Sequence, residues 1–220
     1  MSTIRSGHEL DLDDGITLRG IRIDGGRAAR LVLLHDVGRD LDEFGRLPEA
    51  LARLGCDVMA FDLPGHGISD DLPDGADTDA GTLPSLLVEA IDKNHDDVPL
   101  GLLATGRTAT VGVRVGRDHG VEVQVLVNPV LEESWLSGAR REQAIRLVMH
   151  SEGTHLVGTE TQTFFAKLVG EKMLLHHDDV KRGAASIADD STLLTHVSMF
   201  VRRYLIANLR GGIPDVPGRR

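Results

Sequence analysis

Residues 99–113 (PLGLLATGRTATVGV) read as a buried strand, a tight turn and a helix of small residues, the layout that presents a nucleophile at a sharp elbow. Acyl transfer at such an elbow needs a serine in Gly-x-Ser-x-Gly, a base to take its proton, an acid to orient the base, and backbone amides for the oxyanion. Here the turn reads Ala104-Thr105-Gly106-Arg107-Thr108, so Gly106 stands where the serine would be. A turn kept without its hydroxyl points to an arrangement whose chemistry has been lost or moved. Glycine is also the residue that suits a vacated elbow. The nucleophile position is held at positive φ, a strain of about 1–3 kcal/mol for a residue with a Cβ and close to none for glycine.

Other reactive side chains each have a plainer role. Ser151 lies in His150-Ser151-Glu152-Gly153, which locally resembles an elbow, but a nucleophile there leaves only 69 residues to complete the fold. Thr105 and Thr108 flank the turn and suit helix-start packing. His176 and His177 end an apolar run, where a register shift could bring one of them, His177 as the candidate, to a base position; a surface place at a strand end is the simpler reading. His155, Glu152 and the pair Asp178 and Asp179 are metal-ligand types without metal-ligand spacing, so neither a metal nor another cofactor is expected. Cys56 falls on an apolar strand and reads as an inert buried thiol.

The elements that must position these groups follow from the apolar pattern. Residues 30–36 (RLVLLHD) form an almost continuously apolar run, as a parallel strand covered on both faces does. The turn His35-Asp36-Val37-Gly38 leads into a predicted helix with Phe44, Leu47, Leu51 and Leu54 on one face, ended by Gly55. Residues 56–61 form a second buried strand, followed by the loop 62–70 (DLPGHGISD). Further strands are predicted at 121–129, 146–150 and 172–175, with a helix over 161–170 and a last helix capped by Ser191 that carries Leu194, Val197, Val201 and Leu205. Residues 8–12 and 16–23 read as an antiparallel pair turning at Asp13-Asp14-Gly15.

The order of these motifs resembles the α/β-hydrolase family, in which a strand ending L-L-H-G is followed by D-x-P-G-H-G-x-S-D and then by the elbow. Here His66 precedes Gly106 by 40 residues. The resemblance implies an α/β fold with a mostly parallel central sheet and helices on both faces, the strand ending at His35 lying between those ending at Phe61 and Thr105. It also implies where the catalytic groups should be. The acid position falls on Thr154, and the loop that normally holds the histidine, 178–190 (DDVKRGAASIADD), contains none. At the oxyanion turn Asp36 replaces the family glycine beside Val37, the amide donor by resemblance. A carboxylate a few ångströms from a developing oxyanion opposes it by about 4 kcal/mol at an effective dielectric of about 20. By resemblance, His35 and His66 organise these loops and transfer no proton. The stretch 130–143 is too short for a cap domain.

Composition agrees with one such unit. A formal charge of −10 with 3% aromatic residues lacks the clustered cations and stacking platforms that nucleic acid requires. No apolar run reaches membrane-spanning length, and the single cysteine allows no internal disulfide, so the expectation is a cytoplasmic protein with one domain over 1–210 and a frayed tail over 211–220. The functional expectation is a non-catalytic protein that binds a small molecule or a protein partner in the former cleft, bounded by His35, Asp36, Val37, Gly106 and Arg107. The competing one is an esterase or thioesterase with a displaced nucleophile such as Ser151.

Overall fold

The structure, a computed structural model, describes residues 3–72, 82–116, 119–130, 144–150, 155–177 and 183–207. Its strands are β1 (Ile4–Asp11), β2 (Thr17–Asp24), β3 (Ala29–Leu34), β4 (Cys56–Phe61), β5 (Leu100–Thr105), β6 (Val121–Val127), β7 (Ile145–His150) and β8 (Lys172–His176). They form one sheet in the order β1-β2-β4-β3-β5-β6-β7-β8. The pairs from β4 through β8 are parallel, while β1 and β2 run antiparallel at one edge. As the motif order implied, β3 lies between β4 and β5.

The near-continuous apolar runs have a direct cause. Side chains alternate across a strand, so a strand covered by helices on both faces needs apolar residues at successive positions. Leu31 and Leu33 of β3 join one core layer with Phe44, Leu51 and Val197. Val32 and Leu34 join the opposite layer with Leu87, Val111 and Phe164. Helices α1 (Leu47–Ala52), α5 (Ala185–Asp189) and α6 (Ser191–Val201) supply the first layer, and α2 (Thr82–Lys93), α3 (Val111–Arg114) and α4 (His155–Lys167) supply the second.

Several local expectations are corrected. The helix predicted after β3 is broken in two: a short 3-10 turn, Leu41–Phe44, ends at Gly45, whose φ is +51°, and α1 restarts with Pro48 in its first turn. Proline fits there because the first helical amides have no partner inside the helix. The helix predicted over 161–170 runs instead from His155 to Lys167; Gly158, a poor helix former, masks its first turn in the sequence pattern. The cap of α6 is Asp190, not Ser191: its carboxylate accepts from the amides of Thr192 and Leu193 at 2.7 and 3.0 Å. The edge hairpin is longer than its apolar pattern, since β1 faces solvent over most of its length and carries little periodicity.

Chain order reverses across β3, which makes the carboxyl ends of β3 and β5 the topological switch point of the sheet. Both strand ends deliver their loops to it.

Candidate functional site

The turn after β3 is held by two histidines, each in a hydrogen-bonding role set by its partners. The amide of Leu63 donates to His35 Nε2 at 3.0 Å, and His35 Nδ1 donates to the Asp36 carbonyl at 2.8 Å. A ring that accepts at one nitrogen and donates at the other is neutral. Burial also pushes the His35 pKa down. His66 repeats the device, accepting from the amide of Gly38 at 2.8 Å while Nδ1 donates to the Pro64 carbonyl at 2.9 Å. The 62–70 loop is thereby fastened to the 35–38 turn.

The elbow after β5 has the backbone its sequence implied. Gly106 has φ +52° and starts a 3-10 turn, Gly106–Thr110. Thr108 turns inward, its hydroxyl donating to the carbonyls of Thr105 and Leu34 at 2.8 and 3.2 Å. On the other side, the amide of Val130 donates to the Gly106 carbonyl at 2.9 Å. Neither threonine hydroxyl of the turn stands at its apex as a nucleophile.

What stands there is Asp36. Its Oδ1 accepts from the amide of Val37 at 2.8 Å and from the amide of Arg107 at 2.7 Å. These are the residue after the turn's carboxylate and the residue after the elbow glycine, the two donors that an acyl-transfer site reserves for its oxyanion. A Cβ built on Gly106 would coincide with the Asp36 carboxylate group. One side chain therefore holds both amides and fills the space that a side chain at position 106 would need. The sequence alone suggested a carboxylate near these amides; the structure shows it bonded to both.

Glu43 completes the arrangement, and sequence reasoning missed it. Its Oε2 accepts from the amide of Asp36 at 2.8 Å. Burial raises the Glu43 pKa, aided by the nearby Asp36 charge and opposed by the hydrogen bond from the Asp36 amide. The available signal was the spacing Asp40-x-x-Glu43, which has the form of a capping box. Asp40 does cap, accepting from the amide of Asp42 at 3.0 Å, whereas Glu43 reaches past the cap to the oxyanion turn.

At the carboxyl ends of β7 and β8 the groups are imidazoles. His150 is buried, and its ring centroid lies 4.6 Å from that of His176. The amide of His177 donates to the His150 carbonyl at 3.0 Å, and His177 Nε2 lies 4.0 Å from Asp190 Oδ2. The structure thus brings His35, Asp36, Val37, Gly106 and Arg107 together and sets His177 at the end of β8, beside the cap of α6. Ser151 and Thr154 lie outside the described residues, as do residues 131–143 of the stretch read as too short for a cap domain. Cys56 is buried with its thiol pushed up to about 12, which makes it a poor nucleophile.

No family model matches this chain, and a search of curated proteins finds no match. Solved structures do resemble it. An esterase of Pyrococcus furiosus, Pf2001, superposes with a TM-score of 0.68 at 16% identity, covering 92% of this chain and 93% of its own. The α/β hydrolase GrgF from a Penicillium species gives 0.69 at 15% identity over 92% and 99% of the two chains. A predicted CIB-like hydrolase from Thermoplasma acidophilum gives 0.69 at 14% identity over 91% and 99%. The chain has the α/β-hydrolase fold. Among the described residues, no helix is long and apolar enough to cross a membrane.

Proposed function

We propose that this chain is a non-hydrolysing protein on a hydrolase fold, whose former active-site cleft binds a small molecule or a protein segment. The observation that carries this reading is the bonding of Asp36 Oδ1 to the amides of Val37 and Arg107. Electrostatic stabilisation of an oxyanion works because preorganised donors wait for charge that appears only in the transition state, and loss of one donor typically costs a factor of about 10²–10³ in rate. Here a resident carboxylate holds both donors before any substrate arrives. Gly106 supplies no nucleophile, and the 178–190 loop supplies no imidazole.

The same geometry narrows the ligand. A carbonyl or carboxylate oxygen would compete with Asp36 for its two amides and meet its charge. With Oδ1 engaged, Oδ2 remains as an acceptor beside Gly106, and it favours a ligand that brings a donor, such as an ammonium, amide or hydroxyl group.

The test uses the full-length chain with a fluorophosphonate serine probe and, in parallel, a short-chain p-nitrophenyl ester and an acyl thioester. The expected result is no covalent label and no turnover above a matched blank. Labelling that maps to Ser151, with turnover abolished by Ser151→Ala, would replace this reading with that of an esterase or thioesterase, an activity that the hydrolase structures of the same fold accommodate equally well.

A further inference from the structure

Strand β4 is buried at every position, and one of its residues is a carboxylate. Asp57 is 4% exposed and pairs in register with Arg30 of β3 and Asp24 of β2, so it shares a sheet face with both and with Arg22. A carboxylate taken out of water must be paired. Arg22 supplies a fork, Nε to Oδ1 at 2.8 Å and Nη2 to Oδ2 at 2.9 Å, and Arg30 Nε donates to Oδ2 at 3.1 Å. These groups lie where β3 and β4 begin and β2 ends, at the opposite end of the sheet from the Asp36 turn.

Pairing Asp57 does not use up the cations. A guanidinium carries five N–H donors. Arg30 spends its Nη1 on the Asn94 carbonyl and on Asp96 Oδ2, each at 2.8 Å. Arg22, its side chain 40% exposed, meets Asp57 through Nε and Nη2, and its Nη1 makes no hydrogen bond among the described residues. Arg27, between β2 and β3, is exposed and makes no hydrogen bond or ion pair among the described residues. The three arginines line a cavity of about 410 Å³ together with Asp24, Asp57 and Asp96, within the range of about 300–1,000 Å³ that small-molecule sites occupy. Its carboxylates are already engaged: Asp57 by two arginines, Asp96 by Arg30 and the amide of Val98 at 3.0 Å, and Asp24 by the amide of Gly26 at 3.0 Å. In a chain of formal charge −10, the stretch 22–30 sets three arginines against one aspartate.

We propose that this cavity is a second binding site, separate from the cleft, and that it takes a small oxyanion, a carboxylate or phosphate group, on Arg22 and Arg27. Asp57 is the positioning residue. By gripping one edge of the Arg22 guanidinium it presents the other, formed by Nη1 and the outer hydrogen of Nη2, as two parallel donors that match an oxyanion. Asp96 is the resident competitor, a carboxylate that neutralises Arg30 and repels an incoming anion.

The test follows the arginine Nε–Hε resonances of the isotope-labelled full-length chain by NMR during titration with inorganic phosphate and, separately, with acetate. Both are run at fixed pH and ionic strength, with chloride as the reference anion. Saturable shifts of Arg22 and Arg27 with a millimolar Kd are expected for at least one oxyanion and not for chloride; the anion that binds identifies the group as phosphate or carboxylate. Arg27→Ala removes a cation that holds no bond in the fold and is expected to weaken binding about threefold, with an unchanged circular dichroism spectrum, whereas Asp96→Asn removes the competing charge and is expected to tighten it about threefold. Neither Asp36 nor Gly106 takes part in the readout, so this site and the cleft stand or fall separately. The absence of a saturable shift with either oxyanion, a shift that chloride reproduces, an affinity unchanged in Arg27→Ala or an affinity not raised in Asp96→Asn would show that the arginines serve only to pair Asp57, and would overturn the proposal.

Discussion

Around the ends of β3 and β5, the backbone amides of Asp36, Val37, Gly38 and Arg107 all end on side chains of the same chain: Glu43, Asp36, His66 and Asp36. Around the ends of β7 and β8, the groups in reach of one another are three imidazoles and a helix cap, met through ring contacts and a 4.0 Å approach. The difference teaches how a turn of convergent amides can be held by a side chain of its own. Convergent amides form an anion site whatever the anion is. A carboxylate attached to the turn itself is present at high effective concentration, so Asp36 occupies the donors permanently.

Substitutions should therefore be costly in the first half and mild in the second. The largest effect is expected from Gly106→Ser. A side chain at φ +52° costs about 1–2 kcal/mol, and its Cβ must also expel Asp36 from two hydrogen bonds to a charged group, each worth about 1.5–3 kcal/mol. A loss of at least about 4 kcal/mol in urea denaturation is the expected outcome, with no gain of esterase activity. A loss near 1 kcal/mol would mean that the site is open.

A smaller effect of opposite sign is expected from Glu43→Gln. The buried carboxyl holds its proton more tightly in the folded chain than in the unfolded one, so wild-type stability falls as pH rises through that raised pKa. Glutamine keeps an acceptor for the Asp36 amide without the charge. Thermal denaturation across pH should show the variant equal to wild type in acid, below the ordinary glutamate range, and more stable at neutral pH. A variant less stable at neutral pH would show that the ionised carboxylate is needed. Smallest of all is His177→Ala, expected to change stability by less than about 1 kcal/mol, as for a partly exposed pair with Asp190. A larger loss would erase the contrast between the halves.

Much of the first half was legible in the sequence because its signals are local. Continuous apolar runs identify β3 to β6, the strained turn leaves a glycine at Gly106, and the His35 and His66 motifs sit beside their own strands. What Asp36 does was not legible. Its partner amide on Arg107 is 71 residues away, and a carboxylate that repels and one that plugs have the same letter. Glu43 was hidden behind a capping-box spacing. Arg146 was invisible for a different reason: it lies fully buried in β7, donating to Gln124 at 2.7 Å and to the Val169 carbonyl at 2.9 Å, with its pKa pushed down by burial to about 10. An arginine in a strand pattern carries no mark of the acceptors that make its burial tolerable.

The most direct test of the filled oxyanion turn is a double-mutant cycle between Gly106→Ser and Asp36→Gly, read by urea denaturation. Asp36→Gly alone removes the acceptor from two amides and should destabilise the chain. In the Gly106→Ser background the carboxylate is already displaced, so its removal should cost nothing further and should relieve the collision. The account expects the double variant to be at least as stable as Gly106→Ser alone. Losses that simply add would mean that the Asp36 carboxylate and the space at Gly106 are independent, which would contradict it.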